Sequence, residues 1–172
     1  MKKLYFSLLF LCVLSLFLSG CGAGRPEIGK AFLAPCRYEI GYAVNGAKGT
    51  AVLEFSADGA MSLLFTDTNS PLFGMQKIYT ADGVKTLYHE IETADGGIYD
   101  PLSELKTIFE TLAAQTYHKT AQITISGVPS YQHRFPAEQG EITLFTAADS
   151  LKPVKIEAKL GEYRYEINFK IT

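Results

Sequence analysis

Two stretches near the C-terminus alternate apolar and polar residues with a period of two, and this alternation constrains the fold more than any other feature. The apolar positions are Val154, Ile156, Ala158 and Leu160 in the first stretch, and Tyr163, Tyr165, Ile167, Phe169 and Ile171 in the second. Such a period is typical of a β-strand with one buried and one solvated face. Gly161 and Glu162 separate the stretches and are typical of a hairpin turn. The sequence therefore predicts an amphipathic hairpin, whose register is constrained because a one-residue shift would bury its charges.

The same alternation occurs from residue 37 to residue 44, and turn residues follow it. Asn45-Gly46 favours the positive φ angles of a tight turn. The tripeptide Ala-Asp-Gly occurs at residues 57–59, 81–83 and 94–96, each time after a β-prone run. A calcium loop needs several carboxylates close together, and each of these motifs offers one. We therefore interpret them as hairpin turns and predict no metal site.

One helix is predicted between the two β regions, from Pro101 to about Gln115. Asp100 suits the cap position and Pro101 suits the first turn. The apolar residues that recur with the period of a helix are Leu102, Leu105, Ile108, Phe109 and Leu112. Later apolar pairs, Ile123 with Ile125 and Ile142 with Leu144, indicate further strands. The expected fold is α+β: a strongly curved antiparallel sheet, a half-barrel of about ten strands, covered by one helix near residues 101–115.

The N-terminus has the pattern of an export signal. Lys2 and Lys3 precede an apolar run from residue 4 to residue 18, which is short for a transmembrane helix and has the n-region and h-region of a signal peptide. Leu18-Ser19-Gly20-Cys21 resembles the lipobox of bacterial lipoproteins. The resemblance implies cleavage between Gly20 and Cys21, acylation of Cys21, and anchoring to the extracytoplasmic side of a bacterial membrane. That side is the outer face of the plasma membrane, or the periplasm or outer membrane in a Gram-negative cell. The alternative is an ordinary signal peptide with a chance cysteine.

These features divide the chain into three parts. Residues 1–20 are the expected signal peptide, residues 21–36 the lipidated cysteine with a short tether, and residues 37–172 a single domain. Loss of Lys2 and Lys3 with the signal changes the formal charge from −2 to −4, which argues against nucleic acid as a partner. Cys12 is lost with the signal and Cys21 is acylated, so Cys36 has no disulfide partner in the mature chain.

No motif for catalysis is found. The three histidines have no metal-ligand spacing, and no P-loop, nucleophile elbow or dinucleotide fingerprint occurs. His89 is in phase with Leu87 and Ile91, which favours a core or edge histidine with a satisfied hydrogen bond. The expectation is a protein without enzymatic activity and without a cofactor.

The C-terminal stretch SLKPVKIEAKLGEYRYEINFKI, with its Lys-Pro-x-x-Ile opening, glycine turn and alternating final strand, resembles the LolA/LolB-like lipoprotein-carrier superfamily. That superfamily includes the LppX- and LprG-type lipoproteins. The resemblance implies a half-barrel around an apolar cavity that holds acyl chains under a helical lid. The superfamily usually has several helices where this chain shows one.

Two functions of different classes remain. In the first, the protein binds or carries a hydrophobic ligand, such as a lipid or a lipoprotein acyl chain. The candidate ligand residues are Tyr38, Tyr42, Phe55, Leu64, Leu72, Phe73, Met75, Leu105, Phe109, Tyr165 and Phe169. In the second, the barrel is filled and the protein is an interaction module, an accessory subunit of a cell-envelope complex. A cavity of several hundred cubic ångströms favours the first function, and a packed interior with an exposed aromatic patch favours the second.

The loop from Ser70 to Met75 bears on both functions. It places Leu72, Phe73 and Met75 among turn residues. Such a loop either forms a mobile apolar rim at a cavity mouth or plugs the end of the barrel.

Overall fold

The computed structural model describes Ile28 and residues 34–93, 101–117 and 119–170. Within these residues it contains eleven β-strands and a helix, α1, at Leu105–Ala114. Before the helix lie β1 (Cys36–Val44), β2 (Ala47–Phe55), β3 (Met61–Phe65), β4 (Met75–Thr80), β5 (Gly83–Tyr88) and β6 (Ile91–Thr93). After it lie β7 (Lys119–Ile125), β8 (Val128–Ala137), β9 (Gly140–Ala147), β10 (Pro153–Leu160) and β11 (Tyr163–Phe169).

All eleven strands form one antiparallel sheet in the order β6-β5-β4-β3-β2-β1-β11-β10-β9-β8-β7. Two meanders therefore meet at the centre, where the first strand of the chain pairs with the last. Ile40 is opposite Phe169 and Tyr42 is opposite Ile167. The expected α+β class, with a long antiparallel sheet and a segregated helix, is confirmed.

Local sequence explains the hairpins. Asn45 and Gly46 adopt the positive φ angles, +46° and +94°, that a tight two-residue turn requires. The Asn45 side-chain oxygen also accepts a hydrogen bond of 2.9 Å from the backbone N–H of Arg164 in β11. In the first Ala-Asp-Gly turn, the Asp58 carboxylate accepts hydrogen bonds from the Ser56 hydroxyl and from the Ala60 backbone N–H. The third such motif lies outside the described residues.

The sheet curves around α1. The helix packs on β8, while Phe109 on the same helix contacts Phe55 of β2 with ring centroids 5.0 Å apart. In the strand order, β2 and β8 are separated by five strand spacings, which span roughly 24 Å in a flat sheet. A helix with its side chains is only about 10–12 Å wide. One helix reaches both strands because the sheet bends toward it.

The concave face and the helix form one continuous core. From the helix segment it contains Leu102, Leu105, Ile108, Phe109 and Leu112, and from the sheet it contains residues of both meanders such as Ile40, Leu53, Leu63, Phe135, Ile142, Ile156 and Ile167. Ile28, which falls inside the predicted tether, is 5% exposed and belongs to the same core. Part of the segment before β1 therefore packs against the domain.

The structure differs from two local expectations. The helix begins at Leu105, four residues later than predicted, because Pro101–Glu104 form a turn in which the Leu105 N–H donates to the Leu102 carbonyl at 3.0 Å. The proposed cap, Asp100, lies outside the described residues. His89 is neither a core nor a strand residue: it occupies the β5–β6 turn with a φ of +48° and is exposed.

None of the helices described is both long enough and apolar enough to cross a bilayer.

Candidate functional site

Several turns and strand ends that are distant in sequence lie at one end of the sheet. Because the strands alternate in direction, the β2–β3 turn, the β4–β5 turn, the start of β1 and the end of β11 all lie at this end. We call it the proximal end, since β1 begins there at Cys36. The β1–β2 turn and the loop at residues 66–74 lie at the opposite, distal end.

A pocket of about 520 Å³ opens at the proximal end, between α1 and the two turns. Its lining residues are Phe55, Asp58, Gly59, Ala60, Met61, Tyr79, Thr80, Ala81, Asp82, Lys106, Phe109 and Glu110. Its volume lies within the range of about 300–1,000 Å³ that is usual for small-molecule sites.

The floor of this pocket is apolar and follows from strand register. Phe55 is opposite Met61, and Met61 is opposite Tyr79, so three adjacent strands place one side chain each in a single row on the concave face. All three are buried. Phe109 meets the end of this row edge-to-face at Phe55, a geometry that aromatic pairs prefer. The floor is therefore held by sheet, helix and turns together.

The rim of the pocket is charged. Lys106 and Glu110 lie one turn apart on α1, with 3.6 Å between the ammonium nitrogen and a carboxylate oxygen. Asp58 and Asp82 come from the two turns and are exposed. The hydrogen bond from the Ser56 hydroxyl, and then that from the Ala60 N–H, hold the pKa of Asp58 below its usual value, so it is ionised near neutral pH.

The structure brings together only part of the predicted ligand set. Phe55 and Phe109 line the pocket. The residues that are instead buried within the core are Tyr42, Leu72, Met75, Leu105, Tyr165 and Phe169. Tyr38 is half-buried and packs on Phe169, with ring centroids 5.3 Å apart.

Leu64 and Phe73 lie elsewhere. Leu63 and Phe65, the neighbours of Leu64 on β3, are buried in the core, so Leu64 lies on the opposite face of the sheet. Phe73 is 42% exposed. Leu64 shares its face of β3 with the polar Ser62, and this alternation indicates the side of the strand that points away from the core.

Sequence reasoning missed Met61 and Tyr79, which form most of the pocket floor. Both lie next to Ala-Asp-Gly motifs that were interpreted only as turns. The signal that reveals them is the repetition of the motif just before β3 and just after β4, because every second turn of an antiparallel meander falls at the same end of the sheet.

The centre of the domain is filled. Side chains with less than 2% exposure include Phe65, Leu53, Leu63, Leu105, Ile108 and Ile142, which come from the helix and both meanders. The concave face is therefore a packed core whose pocket lies at the proximal rim. The structure therefore has one feature expected for each function: a packed interior, as expected for an interaction module, and an apolar pocket of several hundred cubic ångströms, as expected for a ligand-binding protein.

An exposed apolar patch lies at the distal end, beside the edge strand β6. It consists of Phe73, Tyr88, His89 and Ile91, and we call it the distal patch. The His89 ring contacts Tyr88 and Phe73, with centroids 4.5 and 6.5 Å apart, and Ile91 is 69% exposed. In the loop that carries Phe73, Leu72 and Met75 are buried, so the loop plugs the core and presents Phe73 outward.

A buried histidine lies beneath the segment that follows α1. His133 on β8 is 2% exposed, and its ring nitrogens contact the Thr146 hydroxyl at 3.0 Å and the Thr120 hydroxyl at 3.4 Å. Tyr117 packs on the ring with centroids 5.0 Å apart. Burial lowers the pKa of His133, because loss of solvent disfavours the charged form of the ring.

Two further depressions are more polar. One, of about 560 Å³, lies at the distal end and is lined largely by charged residues, among them Glu141, Glu157, Lys159 and Arg164. The other, of about 400 Å³, lies near the start of β1 and is lined by Cys36, Arg37, Tyr38, Glu39, Lys152, Pro153 and Lys170. Burial raises the pKa of the Cys36 thiol. The described residues contain no group of three or more His, Cys, Asp or Glu side chains placed to hold a metal ion.

Comparison with known proteins gives structural similarity without a family assignment. No protein-family model matches the sequence, and no curated protein matches it. Among solved structures, LprF from Mycobacterium bovis is 13% identical, covers 84% of this chain and 88% of its own, and gives a TM-score of 0.49.

Two other solved structures are similar over most of this chain. MucB is 17% identical over 83% of this chain, which spans only 54% of MucB, with a TM-score of 0.44. YmcC from Escherichia coli, described as a hypothetical lipoprotein, is 14% identical, covers 79% of this chain and 87% of its own, and gives a TM-score of 0.37. With TM-scores below 0.5, these similarities do not assign the chain to a family.

Proposed function

We propose that this protein is an extracytoplasmic lipoprotein, anchored by acyl chains on Cys21, that binds the hydrocarbon chain of a lipid or acylated protein in the proximal pocket. It acts by binding and not by catalysis. The observation that carries the proposal is the pocket itself: about 520 Å³ above an apolar floor of Phe55, Met61, Tyr79 and Phe109. Each methylene buried there contributes about 0.8 kcal/mol to binding.

The short length of chain between the expected anchor and the domain supports this function. Ile28 is packed in the core, and it lies seven positions after Cys21. A chain of that length spans at most about 25 Å when fully extended. Acylation of Cys21 therefore holds the domain close to the bilayer, from which a hydrophobic ligand is exchanged.

The first test is whether the domain carries and takes up lipid. A chain that starts at Gly22 contains every element and core residue that the structure describes. We expect this chain, purified from a bacterial envelope fraction, to show a reproducible extra mass in native mass spectrometry that lipid extraction removes. A clean apo mass, together with no uptake of a fluorescent fatty-acyl probe, would refute the proposal.

A matched pair of variants locates the site. Ala81 lines the pocket, is exposed and has no positive φ angle, so Ala81→Trp fills the mouth without removing a core side chain. Ala57→Trp introduces the same ring in the neighbouring turn, at an exposed position outside the pocket lining. We expect Ala81→Trp to weaken probe binding about tenfold or more and Ala57→Trp to leave it near the wild-type value. Equal effects of the two variants would place the binding elsewhere.

The distal patch favours a second candidate function, that of an interaction module in an envelope complex. Exposed aromatic and aliphatic residues beside an edge strand are typical of protein contact sites. The test is a photo-crosslinking residue at Ile91 in the intact envelope, with the same residue at Tyr163, which is also exposed but on β11, as control. A discrete adduct at Ile91 alone, combined with no lipid uptake, would favour this function over lipid binding.

A further inference from the structure

We propose that the ligand of the proximal pocket is an amphiphile whose head group carries positive charge, such as an alkyl ammonium, in preference to one with an anionic head. The inference rests on the proposed function, since it concerns the head group of the hydrocarbon ligand that binds there. It follows from the arrangement of charges around the pocket mouth.

Three carboxylates and one ammonium group line the rim. Glu110 and Lys106 pair with each other on α1 at 3.6 Å, so their charges largely cancel. Asp58 and Asp82 remain, and they lie on the facing turns, across the mouth from the helix. A hydrocarbon chain that lies in the pocket, over the floor of Phe55, Met61 and Phe109, leaves its head group at this mouth, which Asp58 and Asp82 line.

Hydrogen bonding keeps Asp58 charged in the absence of a ligand. Its carboxylate accepts from the Ser56 hydroxyl and the Ala60 N–H, and both contacts lower its pKa. The negative charge at the mouth is therefore fixed in position by the turn. Lys77 is buried deeper in the concave face, has an interaction partner of its own and does not line the pocket. A head group at the pocket mouth therefore lies nearer to the two aspartates than to Lys77.

The expected preference is moderate because the rim is exposed to water. Two carboxylates within several ångströms of a cationic head, in a high-dielectric setting, give a preference of roughly threefold to tenfold at low salt. The preference should shrink at high salt, since exposed charges are screened over about 10 Å at 0.1 M ionic strength. The apolar contribution should change little with salt.

The test compares three probes with the same twelve-carbon chain, each used below its micelle concentration. Dodecyltrimethylammonium carries a positive head, laurate a negative one, and dodecyl maltoside a neutral one. Their dissociation constants are measured by isothermal titration calorimetry with the chain that starts at Gly22, after circular dichroism has verified its β-structure. The decisive quantity is the laurate constant divided by the ammonium constant.

We expect that ratio to be about three or more in the wild type and to fall toward one in Asp82→Asn. Asp149→Asn is the matched control, because Asp149 is exposed between β9 and β10 and does not line the pocket. Lys106→Gln releases Glu110 from its pair and should raise the ratio. It also keeps the test decisive if Asp82→Asn folds poorly.

The outcomes separate the two proposals. If none of the three probes binds, the proposed function fails and this inference fails with it. If dodecyl maltoside binds but laurate binds as tightly as the ammonium probe, the pocket binds hydrocarbon and the inference about its head group is wrong. The same conclusion holds if Asp82→Asn and Asp149→Asn change the ratio equally.

Discussion

Replacing His133 by glutamine should remove a large part of the pH dependence of stability between pH 5 and pH 7. Burial lowers the pKa of His133 in the folded protein, whereas in the unfolded chain its pKa lies near the usual value of about 6.5. Folding therefore favours the neutral ring. The contribution of the neutral His133 ring to stability is fully present above pH 6.5. It is lost as the pH falls from 6.5 toward the folded pKa, because only the unfolded chain gains a proton in that window.

The magnitude follows from proton linkage. When the unfolded state binds one more proton than the folded state, the free energy of unfolding falls by up to about 1.4 kcal/mol per pH unit. The groups that face the ring are the hydroxyls of Thr120 and Thr146 and the rings of Tyr117 and Tyr131. None of these is a carboxylate that would stabilise the imidazolium ion, so we expect the wild type to have a steeper slope than His133→Gln, with this value as the upper limit of the difference.

The assay is urea unfolding at several pH values between 5 and 7.5, for the wild type and for His133→Gln. Glutamine is neutral and keeps a hydrogen-bonding end, so its cost of about 1–3 kcal/mol should be nearly independent of pH. The exposed carboxylates with lowered pKa values, Glu39, Asp58 and Glu166, lose their contributions at lower pH than this window. His89 and His118 are common to both proteins and cancel in the difference. Identical slopes in the two proteins would refute the reasoning.

Three further predictions concern the sheet, the pocket and the thiol. Gly140→Ala should destabilise the protein by about 2–4 kcal/mol in urea unfolding, because a Cβ there overlaps a backbone carbonyl of β10. Gly41 has open space around it, so Gly41→Ala should cost under about 1 kcal/mol. Similar losses in the two variants would contradict the steric argument. Phe109→Ala should cost about 3–5 kcal/mol in thermal or urea unfolding, and Phe73→Ala under about 1 kcal/mol, since Phe109 is 2% exposed and Phe73 is 42% exposed. Cys36 should react with iodoacetamide at pH 7.5 at least several-fold more slowly in the folded chain than in urea, because burial raises the pKa of its thiol. Equal rates would show that folding does not protect the thiol.

Strand positions were largely predictable because alternation is a direct consequence of strand geometry. The C-terminal hairpin has the predicted register, with Ile156 opposite Ile167 and Ala158 opposite Tyr165. The turns at Asn45 and Asp58 were predictable for the same reason, since few residues tolerate their backbone angles or supply their hydrogen bonds.

The pocket was not predictable to the same extent because it depends on which elements meet. Phe55 and Phe109 were candidates for their apolar character alone, and only the docking of α1 over the proximal turns shows why they lie together. Nothing in the local pattern indicated that the interior would be filled. The volume left between the sheet and the helix depends on how strongly the sheet bends. The alternation of apolar and polar residues along a strand does not indicate that curvature.

Pairing of the first and last strands has a consequence for the order of folding. Lys170 and Glu39, at one end of the β1–β11 pair, are 131 positions apart in sequence and joined by a hydrogen bond of 2.6 Å. Each meander contains only local contacts, but the two meanders join only after the last strand has been synthesised. Contacts over such distances are formed slowly. A chain interrupted before β11 leaves β1 and β10 as adjacent unpaired edges, a state prone to aggregation, so the sheet is completed only when the final residues of the chain are free to pair.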